Sequence, residues 1–469
     1  MSRRSDFLAL VAFGAMVAVI TATGIGVRAT YGAQTTADEP QYLLSALSLW
    51  EDGDLDISDE LAAERYRHFH EADLPEQTLR LDDGRRVSPH DPLLPVLLAV
   101  PMGLGGWVAA KALLATLAGV LAAGVAWAAI DRFAVSRPVA FLTAGLFALA
   151  PPLAVYSTQA YPELVAALAV LIGFTAITGS LGRGSRIVFL LAVIALPWLA
   201  IKYVPVAAAL TIAGLIKAGR GHRLGLVATL ISAGVVYVFG HVLIYDGLTA
   251  YATGDHFVGG EFTAVGSDVD LWGRSTRLIG LMVDRGFGIA AWQPAFLLLP
   301  IAVGWGLGRR LPGVKPAVAI LGTGWLVATF MALTMHGWWF PGRQLVAVLP
   351  IAILLIAAWA DDLRRRLPAA LFLGAVGVLA FAFLVIEGLA GRLTWVVDFG
   401  STQSPVYQVI SSLMPDYMTP TTATWVLHGI WAVVVVLLGW IGWRSGVQWA
   451  GDRLSTDVLA NEEREQVLT

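Results

Sequence analysis

The chain has no cysteine, which excludes disulfides and thiolate metal sites. Charge is scarce as well. Asp, Glu, Lys and Arg make up 14% of the residues against 57% hydrophobic types. A mean hydropathy of +0.71 lies outside the composition of soluble globular domains. Basic residues stand singly or in short groups at helix ends, so the chain offers no nucleic-acid surface. Sustained heptads, solenoid repeats and low-complexity tracts are also missing. What the chain has in abundance is apolar runs approaching the roughly 20 residues that span a bilayer core as a helix.

The first run, 7–27, is too long for a signal-peptide core and lacks a small-x-small cleavage site, so it is expected to be retained. Hydropathy and breakers predict an all-α polytopic membrane protein of about 12 transmembrane helices. They fall near 7–27, 107–130, 138–155, 162–180, 186–200, 203–217, 224–246, 288–307, 315–335, 344–360, 368–388 and 423–443. The pieces 186–200 and 203–217 are short enough to form one broken pair.

Sorting the connections by charge gives an orientation. Arg3 and Arg4, Arg132 and Arg137, Arg183 and Arg186, Lys217, Arg220 and Arg223, Arg309, Arg310 and Lys315, and Arg364 to Arg366 fall in alternate loops. The intervening short loops hold only Lys202 and Arg343. A Lys/Arg excess marks the cytoplasmic side. Both termini are therefore expected inside a plasma membrane, with the loop 29–92 outside. That loop carries 15 Asp/Glu against 5 Arg. The predicted organisation is a membrane domain over 1–443, with outer segments 29–106, 247–287 and 389–422, followed by a polar cytoplasmic tail, 444–469. In the first outer loop, 41–51 has Leu43, Leu44, Leu47 and Trp50 on one helical face and Gln41, Ser45, Ser48 and Glu51 on the other, predicting a helix lying on the membrane surface. A second in-plane or re-entrant piece is expected over 92–104, ending at Gly105-Gly106.

Several motifs have a structural and a chemical reading. Asp38-Glu39-Pro40 suits a helix N-cap, and equally a carboxylate held at the surface as a general base. "DGDLDISDE" (52–60) suggests calcium, but the EF-hand's sixth and twelfth positions are Ile57 and Ala63 rather than Gly and Glu, so a solvated turn is expected. "HFH" puts His68 and His70 at strand-like alternation. "SPHDPLLP" sets His90 and Asp91 where the chain re-enters the membrane, and Tyr161-Pro162-Glu163 opens a span on the same side. Lys202 separates two apolar segments. "HGWWFPGRQL" holds His336 and Arg343, and "RSTRLIGLMVDRGFG" holds Arg277 and Arg285. Interfacial anchoring explains any one of these cations, but not their gathering on the less basic side. Ionisable residues at membrane depth are functional candidates. Carboxylates suit deprotonation of a hydroxyl, and Arg and Lys suit a phosphate, which in this setting belongs to a lipid.

"ADEPQYLLSALSL" after the first span, "HDPLLPVLLA" before the second, and "APPLAVYSTQAYPELVAALAVL" across the third and fourth, with Lys202 and Arg343 at later junctions, carry a resemblance. Over most of 1–350 the chain resembles the GT-C class of integral-membrane glycosyltransferases, which includes protein O-mannosyltransferases, the lipid A aminoarabinose transferase and mycobacterial arabinosyltransferases. The resemblance implies a GT-C-like helical bundle. It also implies transfer of a sugar, with inversion, from a polyprenyl-phosphate donor to a hydroxyl of a cell-envelope glycan, glycolipid or protein, outside the membrane. Asp38 maps onto the catalytic base, with Glu39 beside it. His90, Asp91, Glu163, Lys202 and Arg343, with Arg277, Arg285 and His336, are the expected substrate and phosphate contacts. The usual His-Pro-Pro-Leu or Lys-Pro-Pro-Leu is here His90-Asp91-Pro92-Leu93, which leaves open whether Asp91 replaces or adds to the family residue. The helix-opening acid, commonly Asp, is Glu163. Some members use a divalent metal, which Asp38, Asp91 and Glu163 could ligate, but the expectation is no metal and no cofactor. A secondary transporter or a lipid-linked sugar flippase is the alternative. It predicts two similar halves with sites near the midplane, whereas the acids cluster at one interface and no matching halves are seen. A non-catalytic scaffold is a further rival.

Overall fold

The computed structural model describes residues 3–75, 77–250, 270–332 and 334–468. Its main helices are α1 (Arg3–Ala22), α2 (Glu39–Glu51), α3 (Leu93–Phe133), α4 (Arg137–Ala148), α5 (Glu163–Thr178), α6 (Arg183–Leu199) and α7 (Val204–Lys217). They continue with α8 (Arg220–Tyr245), α9 (Leu299–Arg309), α10 (Val314–Leu326), α11 (Leu349–Asp362), α12 (Leu367–Leu389) and α13 (Thr422–Leu468). Among the described residues the named strands are the two of one short hairpin, Leu79–Arg80 with Arg86–Val87.

Every expected span contains a helix, but the count of long ones is smaller. Among the described residues, seven helical segments are long and apolar enough to cross a membrane. The segments Arg137–Ala148, Glu163–Thr178 and Pro294–Arg309 are apolar but shorter. Local breakers explain the shortening. Pro151-Pro152 follows α4, Pro162 precedes α5, and Gly179 ends α5 in an extended conformation. Burial then sorts the bundle. The most apolar stretch of Arg343–Asp362 is 89% buried, against 11% for Arg220–Tyr245 and 6% for Thr422–Gln448. Thus α11 forms the centre, and α8 and α13 turn Val235, Phe239 and Val436 outward, as lipid-facing helices do.

The break at Gly105-Gly106 falls inside α3, where Gly106 takes φ +64°, so 93–104 and the following span differ in direction. One expectation needs correction: α2 is not half solvated, since Gln41, Ser45 and Ser48 are buried together with its leucines. The loop beyond α2 covers its polar side, and the Ser48 hydroxyl donates to the Asp54 and Asp56 carbonyls at 3.1 and 2.9 Å. At the other end of the chain α13 continues as one helix from Thr422 to Leu468, and its apolar part is Thr422–Gln448. Residues 251–269 of the expected loop 247–287 lie outside the described residues.

The segments assigned to one side by charge meet at one end of the bundle. Trp395 and Val396 N–H groups donate to the Arg28 and Ala29 carbonyls at 3.0 Å. The Thr36 hydroxyl donates to the Trp338 carbonyl at 3.4 Å, and Tyr417 N–H to Asp284 at 3.2 Å. Elsewhere, Arg137 pairs with Asp6 at 2.6 Å and Arg366 with Asp362 at 3.1 Å.

Candidate active site

Asp38 directly precedes α2, after Ala37 at φ +48°. A residue with a Cβ rarely takes that conformation, and such outliers gather at functional positions. The N-cap reading of Asp38 fails, since its side chain accepts no backbone N–H of α2. Instead Oδ2 accepts from the Arg343 guanidinium at 2.7 Å. Arg343 also donates through Nε to Glu163 Oε1 at 2.8 Å, and Lys202 Nζ reaches the same oxygen at 2.7 Å. His90 Nε2 stands 3.9 Å from the other Asp38 oxygen, its ring stacked on Tyr42 at 4.7 Å. Residues 38, 90, 163, 202 and 343 therefore converge on one cluster.

Local sequence explains each placement. Glu163 is the first residue of α5, after Pro162, and Lys202 sits in the short turn Ile201–Tyr203 between α6 and α7. Arg343 follows Pro341-Gly342. Gly342 takes φ +81°, and a Cβ there would approach Ile289 and Pro152 to 2.9 and 3.0 Å, so the turn that delivers Arg343 requires glycine. The guanidinium lies 3.9 Å from the Tyr161 ring centroid and 5.2 Å from that of Trp339. This packing fixes the fork that bridges the two acids.

Exposure divides the roles. The Glu163 side chain is 1% exposed and Arg343 8%, but Asp38 is 24% and Lys202 32% exposed. Asp38 and Lys202 are thus partly open, and the buried Glu163 holds the two cations. Burial pushes the Asp38 carboxyl up, but the Arg343 guanidinium and His90 outweigh it and bring it down to about 2. Asp38 is therefore ionised throughout the neutral range. Two cations already converge on one carboxylate oxygen here, a geometry that equally suits a phosphate oxygen.

The other expected residues occupy different places. Glu39 is fully buried, and its oxygens accept the Thr36 and Ala160 N–H groups at 3.2 and 2.7 Å, with Lys111 Nζ 3.9 Å away. It joins the start of α2 to the turn before α5. Asp91, also buried, accepts the Ile201 N–H at 3.0 Å through one oxygen; the other oxygen meets the Tyr237 hydroxyl at 3.0 Å and the His241 ring at 2.8 Å. It anchors the turn that carries Lys202. Arg277, Arg285 and His336 form no contact with the cluster among the described interactions. Arg277 donates to the Ala332 carbonyl at 2.7 Å, Arg285 pairs with Asp416 at 3.4 Å, and His336 stands 3.7 Å from Asp284. His68 closes a 3-10 turn, Arg65–His68, and not a strand.

The chain is similar to ArnT. Two solved structures of ArnT from Cupriavidus metallidurans match it, one bound to undecaprenyl phosphate (14% identity, TM-score 0.48) and one in the apo state (16% identity, TM-score 0.49). Each match covers 94% of this chain and 78% of ArnT. No family model and no curated protein matches the chain.

Sequence reasoning missed Lys111, His241 and Tyr237 as supports and Trp339 as a packing surface. For Lys111 and His241 a signal was present: each is a lone polar residue within an apolar run, and such residues seek partners. Among the described residues, both stand with a buried acid of the outer motifs, Glu39 and Asp91.

Proposed function

We propose that the protein is a GT-C-type membrane glycosyltransferase that moves a sugar from a polyprenyl-phosphate donor to a hydroxyl acceptor at the outer membrane surface. The observation that carries this reading is the single guanidinium, Arg343, bridging Asp38 and Glu163, with Lys202 on the same Glu163 oxygen. The donor's phosphate competes for Lys202 and Arg343. Asp38 takes the acceptor's proton as that oxygen attacks the anomeric carbon from the face opposite the phosphate. The bond from the anomeric carbon to the phosphate oxygen breaks, polyprenyl phosphate leaves, and the configuration inverts. Phosphate departs readily, so stabilisation of its charge by the two cations matters more than a general acid.

The pairing of Asp38 with Arg343 adds a feature to this reading. A carboxylate held near 2 is a weak base. When a phosphate draws on Arg343, the grip on Asp38 loosens and its basicity rises. The base is thereby strengthened only when donor is present.

The test is incubation of purified protein with a panel of polyprenyl-phosphate sugars and hydroxyl acceptors, scoring product by mass. Transfer from at least one donor is expected, lost in Asp38→Asn with the fold retained. Full turnover by that variant removes the base assignment.

A further inference from the structure

The proposed transfer leaves the acidic turn after α2 unused. Asp52 follows the last residue of α2, and the short helix Ser58–Ala62 returns beside it. Carboxylate oxygens of Asp52, Asp59 and Glu60 consequently lie within 4.8 Å of one another. Asp52 and Asp59 are exposed, but Glu60 is only 1% exposed, and neither of its carboxylate oxygens has a hydrogen-bond partner among the described residues. A buried carboxylate lacking donors is unfavourable, and neighbouring carboxylates make it more so.

The Arg65 charge reaches Asp52, Asp59 and Glu60, but no cation stands in close contact with them among the described residues. Asp54 Oδ1 accepts the Asp56 N–H at 2.9 Å and the Ser48 hydroxyl at 3.1 Å. Asp56 Oδ1 accepts the Ser58 N–H and hydroxyl and the Arg86 N–H, at 3.1, 2.5 and 2.9 Å. Arg65 is engaged by Glu51 in a two-pronged pair at 2.7 and 2.9 Å. These acids are therefore satisfied within the turn, whereas Asp52, Asp59 and Glu60 form no ion pair among the described residues.

We propose that Asp52, Asp59 and Glu60 bind a calcium ion. Three carboxylates form a hard, all-oxygen donor set, and the two exposed ones leave room for water. Calcium accepts such irregular shells, while magnesium demands a near-ideal octahedron. The site does not follow the EF-hand spacing, since Ile57 and Ala63 stand where that loop needs Gly and Glu. It is built instead from the end of α2 and a short helix across the turn. The ion fastens the far end of the helix whose near end presents Asp38, so it braces the proposed active site without touching it.

The experiment is calorimetric titration of calcium into full-length purified protein stripped with chelator, with thermal melting in parallel. Wild type is expected to show one saturable site and a higher melting temperature with calcium. Asp59→Asn and Glu60→Gln should weaken binding tenfold or more and remove the thermal shift. Asp52→Asn, at an exposed position that the fold does not need, should weaken binding as well. Absence of saturable binding in wild type would assign a shared proton to the cluster and overturn the site. So would unchanged affinity in both Asp52→Asn and Glu60→Gln. Donor binding at Lys202 is a separate measurement, so failure here leaves the transferase reading standing.

Discussion

Replacing Arg343 by Ala tests how the cluster is held together. Among the described residues, the change removes the only group that pairs with both acids: Asp38 loses its partner at 2.7 Å and Glu163 loses one of two. Breaking a buried ion pair by deleting one partner costs about 3–5 kcal/mol, chiefly because a charge is left uncompensated. Lys202 still holds Glu163 Oε1 at 2.7 Å and Asp38 is 24% exposed, so the lower end, about 3 kcal/mol, is expected. If the stranded Glu163 charge is the source, Glu163→Gln should relieve it. The double variant should then be more stable than Arg343→Ala alone, with a coupling of about 1–2 kcal/mol, inside the range for contacting residues. The assay is denaturant or thermal unfolding of the four proteins in one detergent. Strict additivity would refute the argument, because it would mean that the guanidinium and Glu163 do not share an interaction.

Asp38→Asn should lower turnover by about 10²–10⁴-fold, the range for a general base, with the fold retained and the melting temperature lowered. Its carboxyl is held at about 2, below the ordinary 3.8. It therefore contributes stability, about 2 kcal/mol, that is present above pH 3.8 and lost as pH falls through 2. The melting difference between wild type and Asp38→Asn should be level from pH 5 to 8, and a slope there would contradict the pairing. Asp91→Ala should destabilise by about 3 kcal/mol or more, through lost hydrogen bonds to a buried carboxylate, and should also weaken phosphate binding by displacing the Lys202 turn. Unfolding and a lipid-phosphate titration check both effects. Glu60 is held at about 8, above the ordinary 4.5, so its contribution is complete below pH 4.5 and lost as pH rises through 8. In chelator, Glu60→Gln should flatten the decline in melting temperature from pH 5 to 9.

What could be read from the sequence depended on the range of the interaction. Apolar runs announce helices because the pattern is local, and each expected span holds one. Length was harder, since Pro151-Pro152 and Gly179 shorten helices whose composition alone continues. The cluster of Asp38, Glu163, Lys202 and Arg343 was legible because each residue interrupts an apolar segment at its end. The roles of Asp91 and Glu39 were not. Asp91 is decided by His241, 150 residues downstream, and Glu39 by backbone amides before α5. Helical periodicity in α2 separates an apolar from a polar face, but it does not tell water from a covering loop. Ser48 therefore looked like a surface residue until the turn of Asp54 and Asp56 closed over it.

The central claim is that one cluster joins a base to cations that grip a lipid phosphate. Its most direct test is the affinity of purified wild type and Lys202→Ala for polyprenyl phosphate, measured by calorimetry in the same detergent. A loss of tenfold or more in the variant, with the fold retained, is the predicted result. Equal affinity in the two proteins would contradict it.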